Sequence, residues 1–165
     1  MNADSEVMRY FPKPWTADES RLAFQRIDAS FEEKGFGIYA VEVGSAFAGI
    51  VGLSMAAFQS WFTPCVEILW RLRAEFWGRG LASEAAGAVL HMSLHSLALN
   101  EVFAFAVPQN QRSIRVMETI GMTPCRPPFF DHPEVDDQTL KQHLLYSAKL
   151  AIAKEQAEHK VNGKG

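Results

Sequence analysis

Trp77-Gly78-Arg79-Gly80-Leu81-Ala82-Ser83-Glu84-Ala85-Ala86 joins two apolar runs of different period. Upstream, Cys65 to Leu72 alternates: Val66, Ile68, Trp70 and Leu72 share one face, and Glu67, Leu69 and Arg71 share the other. Downstream, about Ala82 to Leu97 has helical spacing, with Ala85, Ala88, Val89 and Met92 expected on a buried stripe. The chain must therefore pass from strand to helix through a glycine turn. Such a turn aims backbone N–H groups outward at a helix N-terminus, a cradle for phosphate oxygens. Gly78 and Gly80 allow the close approach and the dihedrals that the cradle needs. The spacing lacks the dinucleotide fingerprint, and no Gly-Lys-Ser/Thr of a nucleoside-triphosphate loop is present. On its own the turn fits a structural connection equally well.

The other elements follow from local signals. Thr16-Ala17-Asp18-Glu19 reads as a capping box opening a helix from Asp18 to Glu33, with Leu22, Phe24, Ile27 and Phe31 at helical spacing. Gly35-Phe36-Gly37 stops it. Ile38 to Val43 and Ala48 to Met55 form a hairpin across Gly44-Ser45. Val102 to Val107 is a further strand, and a short helix from about Gln111 to Ile120 ends at Gly121. Pro124 to Asp137 reads as loop, and His143 to Leu150 as a last strand. The order is α+β with a mixed, mostly antiparallel sheet flanked by helices. Residues 1–152 make one domain, and 153–165 a charged C-terminal tail.

Composition narrows the function classes. A net charge of −3 argues against nucleic acid as a partner. No apolar run approaches the ~20 residues of a membrane span, and Met1 to Glu6 is unlike a signal peptide, so no membrane role and a cytoplasmic setting are expected. Cys65 and Cys125 form no CxxC pair; a reducing compartment fits, with a single disulfide left open. His91 and His95 have metal-ligand spacing but no third ligand nearby, so no metal is expected.

Taken together, strand, glycine turn, helix, strand, then Asn110-Gln111-Arg112-Ser113 opening a helix that ends at Ile120-Gly121-Met122 resembles the GCN5-related N-acetyltransferase (GNAT) superfamily. The resemblance runs from about Glu6 to Leu150 and is nearest the RimJ/RimL-like ribosomal-protein-alanine acetyltransferase branch. Val66-Glu67-Ile68-Leu69-Trp70-Arg71-Leu72, Glu6-Val7-Met8-Arg9-Tyr10-Phe11-Pro12, Phe130-Asp131-His132-Pro133 and His143-Leu144-Leu145-Tyr146 also carry it. It implies acetyl-CoA as cosubstrate, a primary amine as acceptor, and a splayed parallel strand pair. By this resemblance Gly78, Arg79, Gly80, Leu81 and Ala82 bind the pyrophosphate, and Leu72, Asn110 and Ser113 also contact the cofactor. Trp77 stands where the superfamily usually has Gln or Arg, and is expected to pack rather than hydrogen-bond.

Amine attack on a thioester needs an unprotonated amine and a proton for the leaving thiolate. Glu67, on the polar phase of its strand, is the candidate general base, against the alternative of a solvated strand-face acid. Ser113 is the candidate donor to the CoA sulfur, against an ordinary first-turn serine. Asn110 fits a helix cap, a ligand contact, or both. His132 is read as lining the acceptor pocket or fixing its loop. Tyr146 belongs to the thioester end or to the core. Phe58, Trp61 and Phe62 wall the acceptor or cover an edge. A non-catalytic acyl-CoA-binding or sensing module, and an interaction domain with a decayed site, are the alternative functions. Only six residues precede the stretch from Val7 to Pro12, so the branch's usual first strand is expected to be missing. An uncovered sheet edge then predicts a homodimer.

Overall fold

The computed structural model describes residues 1–150. The expected tail at 153–165 lies outside the described residues. Turns occupy residues 1–15, and α1 (Ala17–Lys34) follows, opened by the reciprocal Thr16/Glu19 capping box and closed by Gly35 in the left-handed region. Then come β1 (Ile38–Val43), β2 (Ala46–Ala56) and β3 (Cys65–Leu72), a 3₁₀ turn at Ala74–Phe76, α2 (Leu81–His95), β4 (Glu101–Ala106), α3 (Gln111–Thr119), β5 (Thr123–Asp131), α4 (Gln138–Lys141) and β6 (Gln142–Lys149). One six-stranded sheet has the order β1-β2-β3-β4-β6-β5. Every neighbouring pair is antiparallel except β3–β4.

The sheet separates two environments. Val51, Leu53, Ile68, Val102, Ala104 and Tyr146 are buried in one core cluster with Val89, Leu90 and Leu94 of α2 and Ile114 and Met117 of α3. On β3 the apolar phase thus enters the core, and the Glu67/Leu69/Arg71 phase takes the opposite face. By contrast α1 buries no residue, and Leu22 and Phe24 remain 55% and 66% exposed.

Two expectations are corrected. The stretch read as loop from Pro124 contains β5, an edge strand paired with β6. Proline lacks the N–H that a ladder needs, so Pro124, Pro127 and Pro128 are tolerated only where one side of the strand is unpaired. The pairing itself shifts register between Pro124 and Phe129. On α2 the buried stripe is Ala86, Val89, Leu90, Ser93 and Leu94, and Ala88 is exposed. Val89 is buried as expected, and Ala85 and Met92 are half-buried at the margin of the stripe.

Candidate active site

The parallel pair is joined at one register point, Glu67↔Phe103. β2, in contrast, pairs with β3 all the way from Ala56↔Cys65 to Gly49↔Leu72. Past Glu67 the strands diverge, and a cleft of about 760 Å³ opens between Ile68–Leu72 and Ala104–Ala106. Backbone groups along a splayed edge are free to pair with an extended ligand, as an added strand would.

One end of the cleft is the glycine turn. Gly78 has φ +73° and Gly80 φ +77°, the left-handed region that other residues enter only with strain. Gly80 caps α2 without a side chain, and the first helical bond runs from the Glu84 N–H to the Gly80 carbonyl. The N–H groups of the first turn therefore have no acceptor within the helix. Gly78, Gly80, Leu81, Ala82 and Leu72 all line the cleft. The Arg79 side chain does not; its guanidinium lies over the Phe76 ring at 5.5 Å. Trp77 packs under the Arg112 guanidinium at 4.3 Å, but its Nε1 also donates to the Leu72 carbonyl at 2.9 Å. The expectation that it packs without hydrogen-bonding is thus corrected, and that bond ties the turn to the end of β3.

Asn110 caps α3: its Oδ1 accepts from the Ser113 N–H at 3.2 Å. Both residues line the cleft opposite the glycine turn's helix. Tyr146 does not line it. It is 5% exposed, and its hydroxyl donates to Glu118 Oε1 at 3.2 Å, so it is a core residue.

At the other end stands Glu67. Among the described residues its carboxyl has no ion-pair partner, and removal from water pushes it up to about 8. A second pocket, about 450 Å³, shares Glu67, Phe105 and His132 with the cleft and adds Met55, Ala56, Ala57, Phe58 and Glu134. The Phe58 and His132 rings lie 4.3 Å apart, and Phe58 also stacks on Phe130 at 5.9 Å. Of the three aromatics read as a cluster, Phe58 walls this pocket, Phe62 packs behind it at 5.9 Å without lining it, and Trp61 is 57% exposed. His132 does two things: it lines the pocket, and its Nδ1 accepts from the Glu134 N–H at 3.2 Å, fixing the loop. Burial lowers the pKa of His132 and of His143.

Sequence reasoning assigned no role to several residues that the fold brings here. His143 lines the cleft, with Nδ1 held 3.0 Å from the Lys141 carbonyl. A carbonyl only accepts, so Nδ1 carries the proton and the neutral ring keeps its lone pair on Nε2. Arg71 is clamped between Phe11 (4.2 Å) and Trp15 (4.8 Å), and its Nη1 donates to Asn2 Oδ1 at 2.8 Å. Burial lowers it to about 10, so it stays charged at neutral pH. This clamp holds residues 2–15 against β3 and places Val7, Tyr10 and Phe11 along the cleft. The alternation of Arg71 with Glu67 was the only available signal of that face.

Among the described residues no three His, Cys, Asp or Glu side chains gather as metal ligands. His91 and His95 stack at 4.2 Å on α2. No described helix is long and apolar enough to cross a membrane.

A splayed parallel pair, a glycine turn at a helix N-terminus, and a desolvated carboxyl at the far end are the parts of a coenzyme A-dependent acyltransferase. The comparisons give the same class. Residues 1–123 match the acetyltransferase (GNAT) domain, and this chain belongs to that family of acetyl-CoA-dependent N-acetyltransferases. It is 30% identical over 121 residues to the uncharacterized N-acetyltransferase YnaD of Bacillus subtilis, covering 73% of this chain and 68% of YnaD. It is 29% identical over 133 residues to the FsC-acetyl coenzyme A-N(2)-transacetylase of Aspergillus fumigatus, covering 74% of this chain and 55% of that protein. The GNAT-family acetyltransferase of Bacillus anthracis shares the fold, with a TM-score of 0.70, 23% identity, and coverage of 90% of this chain and 84% of that one.

Proposed function

We propose that this chain moves the acetyl group of acetyl-CoA directly to a primary amine in a ternary complex, and that it is a RimJ/RimL-like member of its family. The observation that carries this reading is the position of Glu67. It lies at the last paired point of β3 and β4, where the cleft and the second pocket share a wall. A donor running from the glycine turn and an acceptor entering from the other side meet there. The branch assignment is supported by the Val7–Pro12 segment, which lines the cleft.

In this reading the N–H groups of Gly78, Arg79, Gly80, Leu81 and Ala82 hold the pyrophosphate, and Leu72 and Asn110 guide the arm. Glu67 takes a proton from the acceptor ammonium. The freed amine forms its bond to the carbonyl carbon, the C–S bond breaks, and Ser113 supplies a hydrogen bond or proton to the departing sulfur. Burial pushes the Cys65 thiol up to about 12 and also raises Cys125, so neither offers a thiolate for a covalent intermediate at neutral pH. That supports direct transfer. A homodimer is supported by β1, whose outer edge has no partner strand among the described residues; a monodisperse monomer in light scattering at micromolar concentration would overturn it.

Isothermal titration with acetyl-CoA, followed by a thiol-release assay over a panel of amines, tests the function. Binding with turnover supports the transferase. Binding without turnover on any amine favours a non-catalytic acyl-CoA-binding module, and no binding at high micromolar ligand removes both.

A further inference from the structure

The second pocket, from which the transferase reading brings in the acceptor, has a lining of distinct chemistry. Its side chains are two carboxylates, one imidazole and otherwise apolar or aromatic groups: Glu67 and Glu134, His132, then Met55, Phe58 and Phe105. None of the residues lining it is a lysine or arginine. The imidazole adds no positive charge at neutral pH. Burial lowers its pKa, and its Nδ1 is already occupied as an acceptor for the Glu134 N–H. Glu67 is common to pocket and cleft, whereas Glu134 is exposed on the loop after β5. The cavity, about 450 Å³, falls in the lower part of the range usual for small-molecule sites, roughly 300–1,000 Å³.

We propose that the acceptor is a small primary amine on an apolar, preferentially aromatic body, with no carboxylate on the amine-bearing carbon. This inference rests on the transferase reading above and names its substrate class. An ammonium entering the pocket meets the acids Glu67 and Glu134 and the rings of Phe58 and Phe105, and aromatic rings attract cations. An apolar body continues along Phe58 and Phe105 and leaves water. A free α-amino acid carries its own carboxylate only two bonds from the nitrogen. In the second pocket that carboxylate would meet no lysine or arginine, the arginines beside Glu67 belonging to the lining of the cleft, and an unpaired charge removed from water is strongly disfavoured. A polypeptide N-terminus brings no such unpaired charge, but its first amide groups would face Met55, Phe58 and Phe105, side chains that offer no hydrogen bond.

A thiol-release assay on the intact chain with phenethylamine, phenylalaninamide, phenylalanine and an alanine-led tetrapeptide amide tests this. Phenethylamine should be used best. Phenylalanine should fall at least a hundredfold below it in kcat/KM, and phenylalaninamide, of nearly the same shape but without the negative charge, should return to within tenfold. Glu134→Lys puts a cation on the wall of the second pocket, at a residue absent from the cleft lining. It should narrow the phenethylamine-to-phenylalanine ratio at least tenfold while the Kd for acetyl-CoA is unchanged. Equal use of phenylalanine and phenethylamine, a tenfold preference for the peptide, or a ratio unmoved by Glu134→Lys would each overturn the proposal. If acetyl-CoA binds and the peptide alone is acetylated, this inference falls and the transferase reading stands. If acetyl-CoA does not bind, both fall.

Discussion

The two ends of the cleft are built differently. At the proposed cofactor end, the end of β3, the glycine turn and the first turn of α2 fall within Leu72 to Ser83, and what they offer is backbone N–H groups and positive φ angles. At the proposed acceptor end, Met55 and Phe58 come from the end of β2 and the loop after it, Glu67 from β3, Phe105 from β4, and His132 and Glu134 from the loop after β5. The first end is local and the second is a meeting of distant segments. A binding device made from one strand-to-helix junction can be passed from chain to chain with little change. One assembled from four segments changes whenever a loop changes, and there acceptor choice can diverge while the donor stays the same.

Separate substitutions can break this contrast. The largest expected effect is at Glu67, where the two ends meet. Glu67→Gln should lower kcat by roughly 10²–10⁴-fold, the usual contribution of a positioned base, with acetyl-CoA affinity retained. Because the carboxyl is pushed up to about 8, wild-type activity should climb through that pH and the variant's profile should be flat there. Stability carries the opposite sign. Between the ordinary value of 4.5 and about 8 the unfolded chain releases the Glu67 proton and the folded chain keeps it. Wild type should therefore lose stability relative to Glu67→Gln as pH rises across that window, read as a widening gap in melting temperature.

Next is Gly80→Val, which forces a β-branched residue to φ +77° at the head of α2. Strain of about 1–3 kcal/mol, or a shifted turn that relieves it, should weaken acetyl-CoA binding by roughly tenfold or more in titration calorimetry. Phe58→Ala should act on the other end alone. The acceptor KM should rise by roughly tenfold, as expected for losing about 1.5 kcal/mol of aromatic contact, while the Kd for acetyl-CoA stays put. If Phe58→Ala weakened acetyl-CoA equally, the two ends would not be separable. The smallest effect belongs to Asn110→Ala, which removes the α3 cap. It should cost about 1 kcal/mol of stability in chemical denaturation, with a modest loss of acetyl-CoA affinity.

The residues themselves show where legibility stopped. The α1 capping box was readable because Thr16 and Glu19 satisfy each other within one turn. The Asn110 cap was readable for the same reason, its partner being only three residues away. β5 was not, because Pro124, Pro127 and Pro128 signal a loop to any local rule. Only the sheet order shows that the strand occupies an edge, where missing N–H groups cost little. His143 carried no role in the sequence, since its tautomer depends on the Lys141 carbonyl and its importance on facing a cleft built by other strands. Alternation put Arg71 on the face of Glu67, but no local signal placed Phe11 and Trp15 over it.

What the sequence alone determined is the part of this protein governed by short-range rules. These are the alternation of β3, the strand-to-helix glycine turn and the two helix caps, beside the set of short motifs that carries the resemblance to the family. Tertiary structure decided the divergence of β3 and β4 after Glu67, the clamp on Arg71, and the partly aromatic pocket beside Glu67. The reason is physical. Dihedral preferences and caps act over a few residues, so they are written where they operate. Desolvation of a carboxyl and the walls of a pocket depend on which remote segments fold against it.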